Sequence, residues 1–397
     1  MQKILFVVDE KRMGGVSIVL EDILKNIDKT NKEIDLLVLQ NDGECFADLR
    51  DINIIYGSKF FDLVAMDLGL ILKSRKISKI LKKLYLIFLL KTGLIKHKIR
   101  RERKKILTKK YDAEVAFKDG ICTVFVAYGD ADLKACWLHT DYTQADPGEN
   151  YPTTFKKVFD NMDVIVGISN DVLKKFNDKY HRENKTMLIY DYIDTDRIYK
   201  SLDDKEYLDL TKTNLVSIGR LHPSKGYDRL INVMGQLKKE GYINDTILTI
   251  VGEGSERELI ESLIKMHGLE EQVILVGNQM NPYNYIKDGD LYIMSSRYEG
   301  YALVVVEALI LNIPLLAVEY STIHEIIENE EVLSIVENSE EGLYTGLKRL
   351  LLDKKEIKRM KKGFLNYEYS TNDSMVKIEQ LLNRKTELSD ESNEETS

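Results

Sequence analysis

The feature that most constrains the fold is a repeated alternation of short apolar runs with segments of helical periodicity. Each run has the length of a buried strand, and polar or turn-forming residues follow it. The runs in the first half cover residues 3–8, 34–39, 114–117, 135–138 and 164–168, and those in the second half cover 215–218, 247–251, 273–276, 291–294 and 315–318. Strands that alternate with helices over both halves predict an α/β fold with two parallel-sheet domains.

The length of 397 residues also favours two domains. We expect a first Rossmann-like domain over residues 1–195 with a basic helical insert at about 70–110, a linker over 196–213, and a second Rossmann-like domain over 214–370. Residues 371–384 are expected to form a helix that packs back on the first domain. The last segment, 385–397, is acidic and rich in Ser and Thr, which predicts disorder.

Composition excludes several classes of protein. Hydrophobic residues make up 44% of the chain and charged residues 31%, as in a soluble globular protein. The net charge of −8 argues against a nucleic-acid partner. Three widely spaced cysteines indicate neither a disulfide framework nor a zinc site. The apolar run that opens the chain is followed at once by Asp9, which indicates a strand and not a signal peptide. We therefore expect a cytoplasmic protein without a bound metal.

A strongly basic segment spans residues 73–110. It holds sixteen Lys or Arg residues against the single acid Glu102. Apolar residues with the spacing of one helical face are interleaved with them: Ile77, Ile80, Leu81, Leu84, Ile87 and Phe88. A basic amphipathic helix of this kind suits an anionic membrane surface. The alternative is a domain helix with a solvated basic face, and nucleic acid is a weaker candidate because no aromatic platform accompanies the charge.

The stretch from Ser295 to Glu307 is the strongest candidate for a site. It follows the apolar run 291–294 as a polar loop and then becomes an apolar helix from Ala302 to near Asn312. A helix N-terminus favours anions, yet this one holds Glu299 in the loop and Glu307 in the helix. Apolar residues flank Glu307 on both sides, and a buried carboxylate needs partners, so we expect it to face a polar ligand. The alternative is a capping Glu and an exposed helix Glu.

A second loop, Gly219 to Gly226, follows the first apolar run of the second half. It holds Arg220 and Lys225 directly before an amphipathic helix, and such a pair could clamp a diphosphate. The spacing is not that of a P-loop, and a surface loop with two basic residues is the alternative. Gly252 and Gly254 form another glycine turn at the same predicted sheet edge, where a nucleotide could lie against the backbone.

Two features of the first half also lie at predicted strand ends. Gly14 and Gly15 precede a helix, which indicates either close approach of a ligand to the backbone or a tight turn. His139 follows the run 135–138, with Asp141 two residues on. In a doubly wound sheet such strand ends line the ligand crevice. His139 is therefore a site candidate, with a structural histidine as the alternative.

Taken together, these motifs resemble the retaining family-4 glycosyltransferases of GT-B fold, an α/β fold with two Rossmann-like parallel-sheet domains facing a central cleft. The resemblance implies that Arg220 and Lys225 hold the donor diphosphate, that Glu299 orients the transferred sugar and that Glu307 binds the ribose. It also implies that His139 contacts the sugar from the first domain. The donor site that it implies includes Gly14, Gly15, Gly219, Gly252, Gly254, Gly300, Tyr301 and Ala302.

The same resemblance implies transfer of a hexose or N-acetylhexosamine from a UDP-sugar to an acceptor hydroxyl, with retention at the anomeric carbon. The fixed cations would replace a metal, and no cofactor is implied beyond the UDP-sugar substrate. The segment from Trp137 to Asp141 is similar to the branch that builds bacterial surface polysaccharides on lipid carriers. With the basic segment, this favours a lipid-linked oligosaccharide or glycan acceptor and a peripheral position on the inner face of the cell membrane.

The sequence departs from the pattern of that family at two places. Tyr301 and Ala302 stand where Phe followed by Gly or Pro is common, and the segment Asp191 to Asp194 stands where Asn-Pro-Ile-Asp is common. Two other functions stay open. One is a nucleotide-sugar epimerase or phosphorylase-like enzyme of similar fold, and the other is a catalytically inactive GT-B subunit that acts as a partner protein.

Overall fold

The structure, a computed structural model, describes residues 1–9, 14–40, 45–63, 77–327, 329–366 and 369–394. The chain folds into two compact units. The first comprises Met1–Ile193 and Thr371–Ser397, and the second comprises Asp194–Ser370.

The first unit is built on a seven-stranded parallel sheet of order β3-β2-β1-β4-β5-β6-β7. Its strands are β1 (Gln2–Val8), β2 (Lys32–Val38), β3 (Asn53–Tyr56), β4 (Ala113–Ala116), β5 (Leu133–Leu138), β6 (Val164–Gly167) and β7 (Thr186–Leu188). Its helices are α1 (Gly15–Asn26), α2 (Ile77–Thr92), α3 (Ile95–Ile106), α4 (Ile121–Ala127), α5 (Pro152–Asp160), α6 (Asn170–Tyr180) and the C-terminal Asn372–Glu394. The central strands β1, β4 and β5 are almost wholly buried, as expected for a sheet covered on both faces.

The second unit contains a six-stranded parallel sheet of order β10-β9-β8-β11-β12-β13. Its strands are β8 (Thr213–Ile218), β9 (Thr246–Val251), β10 (Val273–Gly277), β11 (Leu291–Met294), β12 (Leu315–Val318) and β13 (Leu333–Val336). Its helices are α7 (Thr195–Ser201), α8 (Tyr227–Lys239), α9 (Arg257–Met266), α10 (Tyr283–Lys287), α11 (Leu303–Ile310), α12 (Ile323–Ile326), α13 (Glu340–Leu352) and α14 (Lys354–Gly363).

Two Rossmann-like parallel sheets confirm the predicted α/β fold class. In each sheet the strand order reverses beside the first strand, between β1 and β4 and between β8 and β11. Loops at the carboxyl ends of these strands lie at the switch point, where ligands of such folds bind. The predicted site loops fall there: residues 219–226 follow β8, residues 295–302 follow β11, and Gly14 lies between β1 and α1.

The C-terminal helix, α15 (Asn372–Glu394), belongs to the first unit. Its residues Leu381 and Leu382 are buried, and the Gln2 side-chain amide donates to the Leu382 carbonyl at 2.7 Å. At the start of this segment, the Thr371 hydroxyl donates to the Ile193 carbonyl at 3.0 Å and accepts from the Ile193 N–H at 2.9 Å. The two points at which the chain passes between the units are therefore hydrogen-bonded to each other on the side of the first unit.

The end of this helix differs from the sequence prediction. Residues 385–397 are expected to be disordered, whereas α15 continues to Glu394. Lys385, Glu387 and Leu388 are residue types with high helix propensity. Residues 395–397 lie outside the described part of the chain.

The predicted amphipathic helix of the basic segment is present as α2, and a second helix, α3, follows it. Helices α2 and α3 are separated by a turn at Gly93, whose φ of 72° lies in the left-handed region that favours glycine. The beginning of the predicted insert, with Lys73, Arg75 and Lys76, lies outside the described residues. A search of the described helices finds none long and apolar enough to cross a bilayer.

Candidate functional site

Two loops of the second unit are joined by hydrogen bonds to main-chain carbonyl groups. We call residues 219–226 the basic loop and residues 295–302 the glutamate loop. The Arg297 N–H donates to the Ser224 carbonyl at 2.7 Å, and the Arg297 guanidinium donates to the Pro223 carbonyl at 2.6 Å. The Ser295 hydroxyl donates to the Lys225 carbonyl at 2.9 Å. These contacts fix the two loops relative to each other.

Two arginines stabilise this arrangement of the two loops. Arg297 forms a bidentate pair with Asp228 at 2.8 and 2.7 Å, and its hydrogen bonds are the main reason that the pKa of Asp228 is lowered. Arg229 is buried and donates to the Ser295 carbonyl at 2.7 and 3.1 Å and to Asn338 Oδ1 at 2.6 Å. The sequence reasoning missed both supporting roles, because neither residue stands in a recognisable ligand motif.

The basic loop and the glutamate loop bring two predicted site residues into direct contact. Lys225 Nζ lies 2.6 Å from Glu299 Oε1, and both side chains are largely buried. Arg220 is exposed and, within the part of the chain that the structure describes, has no ion-pair partner. The charge of Lys225 is thus balanced within the protein, whereas that of Arg220 remains available to an anion.

Glu307 lies in helix α11 and is 8% exposed. The Tyr283 hydroxyl donates to its Oε1 at 3.2 Å, and the same hydroxyl accepts from Arg197 at 2.9 Å. The Arg197 guanidinium also lies over the Tyr283 ring, 5.5 Å from its centroid. The buried carboxylate of Glu307 is therefore hydrogen-bonded to Tyr283, which is in turn hydrogen-bonded to the cationic side chain of Arg197.

The glycines of this region are needed for close packing of backbone. A Cβ at Gly252 would lie 2.0 Å from the Gly219 carbonyl oxygen, and one at Gly254 would lie 2.2 Å from the Leu221 carbonyl oxygen. Gly226 combines a φ of 66° with a Cβ position 2.3 Å from the Ser295 carbonyl oxygen. These three glycines let the basic loop lie directly against its neighbours.

The remaining predicted donor-site residues of the second unit lie in these two loops. A Cβ at Gly219 would meet the Tyr227 hydroxyl at 3.0 Å. Gly300 is half-buried, and Ala302 is buried at the N-terminal cap of α11. Tyr301 is buried, and its hydroxyl lies 3.3 Å from that of Tyr369.

Gly14 and Gly15 begin helix α1 in the first unit. Gly14 is the N-cap residue, with a φ of −176° that any residue can adopt. A Cβ at Gly14 would have no described atom within 4 Å. Within the described residues, therefore, neither backbone conformation nor packing explains a glycine at this position.

His139 follows β5 and is held in place from several sides. Its side chain is 7% exposed, its ring lies 5.2 Å from the Phe117 ring, and its backbone N–H donates to Asp119 Oδ2 at 2.8 Å. Burial lowers the pKa of His139 to about 3, so the imidazole is neutral at neutral pH. Its Nε2 is buried without a hydrogen-bond partner among the described residues.

The carboxylate beside this imidazole is not the predicted one. Asp141 pairs with Lys175 at 2.8 Å. Instead, Asp191 Oδ1 lies 3.8 Å from His139 Nδ1. Burial raises the pKa of Asp191 to about 7, and its Oδ1 has no hydrogen-bond partner in the described structure. In the sequence, Asp191 stands out because the resembled family commonly has Asn followed by Pro at this point.

A second buried acid, Asp119, contacts the backbone of His139. It accepts a hydrogen bond from the Tyr142 hydroxyl at 2.7 Å in addition to that from the His139 N–H. Burial raises the pKa of Asp119 to about 6 in spite of these donors. Among the described residues, no group of three or more His, Cys, Asp or Glu side chains is arranged to hold a metal ion.

Comparison with known families identifies the second unit. Residues 199–365 match the family model of the glycosyl transferases group 1. This range contains the basic loop, the glutamate loop, Glu307 and its partner Tyr283. The second unit therefore carries a glycosyltransferase group 1 domain.

The relatives agree with this assignment. An N-acetylgalactosamine-N,N'-diacetylbacillosaminyl-diphospho-undecaprenol 4-alpha-N-acetylgalactosaminyltransferase from Campylobacter jejuni is 32% identical over 180 residues, which are 45% of this chain and 47% of that protein. The chain thus spans about half the length of the curated relatives it matches. The match does not extend to their whole length.

Solved structures share the fold over almost the whole chain. The Anabaena protein HepE, in complex with UDP and glucose, has a TM-score of 0.69 at 16% identity and covers 98% of this chain and 100% of its own. WaaG, a glycosyltransferase involved in lipopolysaccharide biosynthesis, has a TM-score of 0.70 at 13% identity and covers 96% of this chain and 99% of its own. These similarities confirm the GT-B class predicted from the sequence.

Proposed function

We propose that this protein is a retaining glycosyltransferase that moves a hexose or N-acetylhexosamine from a UDP-sugar to a hydroxyl of a lipid-linked or surface-polysaccharide acceptor. The observation that carries the proposal is the Lys225–Glu299 pair, held between two tied loops beside the uncompensated Arg220. These residues lie inside the range that matches a glycosyltransferase family.

The donor diphosphate would bind at the basic loop. The planar guanidinium of Arg220 suits bidentate contact with phosphate oxygens. Lys225 has three N–H donors, so it can keep its bond to Glu299 while it donates to a phosphate oxygen. Positive charge fixed in this way stabilises the nucleoside diphosphate as it leaves, and it would serve in place of a metal ion.

The two glutamates would bind the hydroxyl groups of the donor. Glu299 is oriented by Lys225 and would accept hydrogen bonds from the transferred sugar. Glu307 would bind the ribose hydroxyls, since a carboxylate can accept hydrogen bonds from several donors at once. For His139 we propose contact with the transferred sugar through a neutral imidazole, and for Gly14 and Gly15 close approach to the phosphates.

Two relatives support the choice of donor and acceptor. The Anabaena structure of similar fold holds UDP and glucose. The Campylobacter relative is named for transfer to a sugar on diphospho-undecaprenol. We therefore propose a UDP-sugar as donor and a lipid-diphosphate-linked glycan as acceptor.

A lipid-linked acceptor requires access to a membrane, and helix α2 offers a surface for it. Five apolar side chains spaced as one helical face are at least half exposed: Ile77 (72%), Leu81 (61%), Leu84 (50%), Tyr85 (50%) and Phe88 (52%). The opposite side of the helix is buried through Leu86 and Leu89. With the flanking lysines, this face fits the interface of an anionic membrane, on which we propose that the protein is peripheral.

Sugar transfer can be tested with a panel of UDP-sugars and a lipid-diphosphate-linked acceptor. We expect Arg220→Ala and Lys225→Ala each to lower the transfer rate by about 10²–10³ while the circular dichroism spectrum is unchanged. Lys239→Ala removes the same charge from the end of α8 and should leave the rate unchanged. Chelation of divalent metal should also leave it unchanged, and NMR of the product should show retained anomeric configuration.

The outcomes separate this proposal from its rivals. Wild-type rates in both loop variants would refute the diphosphate clamp. Conversion of a UDP-sugar to its epimer without acceptor would indicate an epimerase. A folded protein that binds none of the donors would indicate a partner subunit.

Membrane binding is tested by flotation with vesicles that contain an anionic phospholipid. We expect Leu81→Ser with Phe88→Ser to abolish flotation, and added salt to weaken it for the wild type. The matched control is Leu259→Ser with Met266→Ser, which removes two exposed apolar side chains from α9 in the second unit. Equal binding of the wild type to neutral vesicles would contradict the role of the basic residues.

A further inference from the structure

A cavity of about 590 Å³ in the first unit has no role in the site described above. It lies between the end of α2, the turn at Gly93, the start of α3 and the length of α5. Its volume is that of a small-ligand pocket. Its basic lining residues are Lys91, Lys96, His97, Arg100 and Lys157.

The cations around this cavity differ from several others of the basic segment. On α3, three bases are neutralised: Lys98 and Lys105 pair with Glu102 at 2.9 and 2.8 Å, and Arg103 pairs with Glu114 at 2.6 Å. By contrast, in the ranges that the structure describes, none of the basic side chains lining the cavity pairs with a carboxylate.

The acid in the cavity wall does not change this balance. Asp160 lines the cavity, but it is paired with Arg182 at 2.5 Å. Within the described residues, the bases that line the cavity are therefore not balanced by ion pairs, and its one lining carboxylate is already paired with Arg182.

The backbone around the cavity also favours a negatively charged ligand. Helices α3 and α5 both have residues of their first turn in its wall, and neither helix has an acidic residue there. The positive ends of two helix dipoles are thus left without an internal counter-charge. The wall is also anchored, because the Thr154 hydroxyl donates to the Leu90 carbonyl at 2.6 Å and ties α5 to the end of α2.

We propose that this cavity is a binding site for a phosphate or diphosphate group, separate from the Arg220 and Lys225 loop. Arg100 supplies a planar fork for two phosphate oxygens, and the lysines supply compact charges around it. The group is either borne by a membrane lipid, since the cavity adjoins the end of the exposed apolar face on α2, or is part of a soluble phosphorylated compound.

The site is tested with inorganic pyrophosphate by titration calorimetry, with saturating UDP present so that the proposed donor site is occupied. The variant Lys96→Gln with Arg100→Gln should weaken pyrophosphate binding by about tenfold or more. The control, Arg101→Gln with Lys104→Gln, removes two charges from the same helix at exposed positions that do not line the cavity. It should bind pyrophosphate like the wild type.

Equal weakening in both variants would overturn the proposal, because it would show a general effect of surface charge. An absence of pyrophosphate binding by the wild type would also overturn it. Neither result bears on sugar transfer, which the Arg220 variants test separately.

Vesicles distinguish the two sources of the phosphate group. If the group is lipid-borne, the cavity variant should float less than the control variant with vesicles that contain an anionic phospholipid, although the two proteins have the same net charge. If the group is soluble, the two variants should float equally, and the cavity variant should differ from the control in pyrophosphate binding alone.

Discussion

Replacing Asp191 by Asn is expected to remove a large part of the pH dependence of stability of the first unit. The side chain of Asp191 is 3% exposed, and its Oδ1 has no hydrogen-bond partner in the described structure. His139 Nδ1 lies 3.8 Å away, but burial lowers the pKa of His139 to about 3, so the ring brings no positive charge at neutral pH. Burial therefore raises the pKa of Asp191 from 3.8 to about 7.

The magnitude follows from proton linkage. Between about pH 4 and pH 7 the folded protein keeps a proton on Asp191 that the unfolded chain has lost, so stability falls as the pH rises. The slope is about 1.4 kcal/mol per pH unit, which amounts to about 3 kcal/mol between pH 5 and pH 7. The amide of the Asp191→Asn variant carries no titrating proton. The raised pKa of Asp119 acts in the same direction, but it is present in both proteins and cancels in the comparison.

The assay is urea denaturation followed by the fluorescence of Trp137. This residue is the single tryptophan of the chain and lies buried in β5, so its signal reports the first unit. The unfolding free energy of Asp191→Asn minus that of the wild type should increase by about 3 kcal/mol from pH 5 to pH 7. Asp178→Asn, at an exposed position on α6, should show no such change. A difference that is independent of pH would refute the argument, because Asp191 would then be ionised throughout.

Other substitutions test the packing and the site. Gly129→Ala should destabilise the first unit by about 3–5 kcal/mol, because its Cβ would lie 2.5 Å from Glu114 Oε2 and would disrupt a buried ion pair; urea denaturation measures the loss. Gly14→Ala should leave that stability unchanged, since no described atom lies within 4 Å of its Cβ, and yet weaken UDP-sugar binding in calorimetry. Tyr283→Phe should destabilise the second unit by about 1–3 kcal/mol because it removes a donor from buried Glu307; unchanged thermal unfolding would contradict that.

The central strands could be predicted from the sequence, as could the edge strand β10, whereas the other three edge strands could not. Strands such as β11 and β12 are buried on both faces and have continuous apolar sequences. The missed strands β3, β7 and β13 lie at sheet edges. Strand β3 is partly exposed and β7 has three residues, so neither shows a strong apolar pattern.

The candidate site was predictable as a set of residues but not as a set of contacts. The sequence placed Lys225 and Glu299 in different loops, and their 2.6 Å contact depends on the parallel order of β8 and β11. The sequence indicated Asp141 as the carboxylate beside His139 because the two residues are near each other in the chain. In the folded structure, Asp191 lies beside the imidazole instead. Gly252 and Gly254 were associated with a ligand, and their packing against the basic loop follows from backbone geometry that no motif records.

The double hydrogen bond between Thr371 and Ile193 has a consequence for the evolution of this chain. It brings together both ends of residues 194–370, so the second unit is an insertion into the first and not simply its successor. Because the two ends of this inserted segment adjoin, a related segment can replace it without change to the seven-stranded sheet or to α15. The hydrogen bonds that hold the two ends together are made by Ile193 and Thr371, which lie outside the segment. The two units can therefore diverge independently, through recombination at two neighbouring points of the backbone.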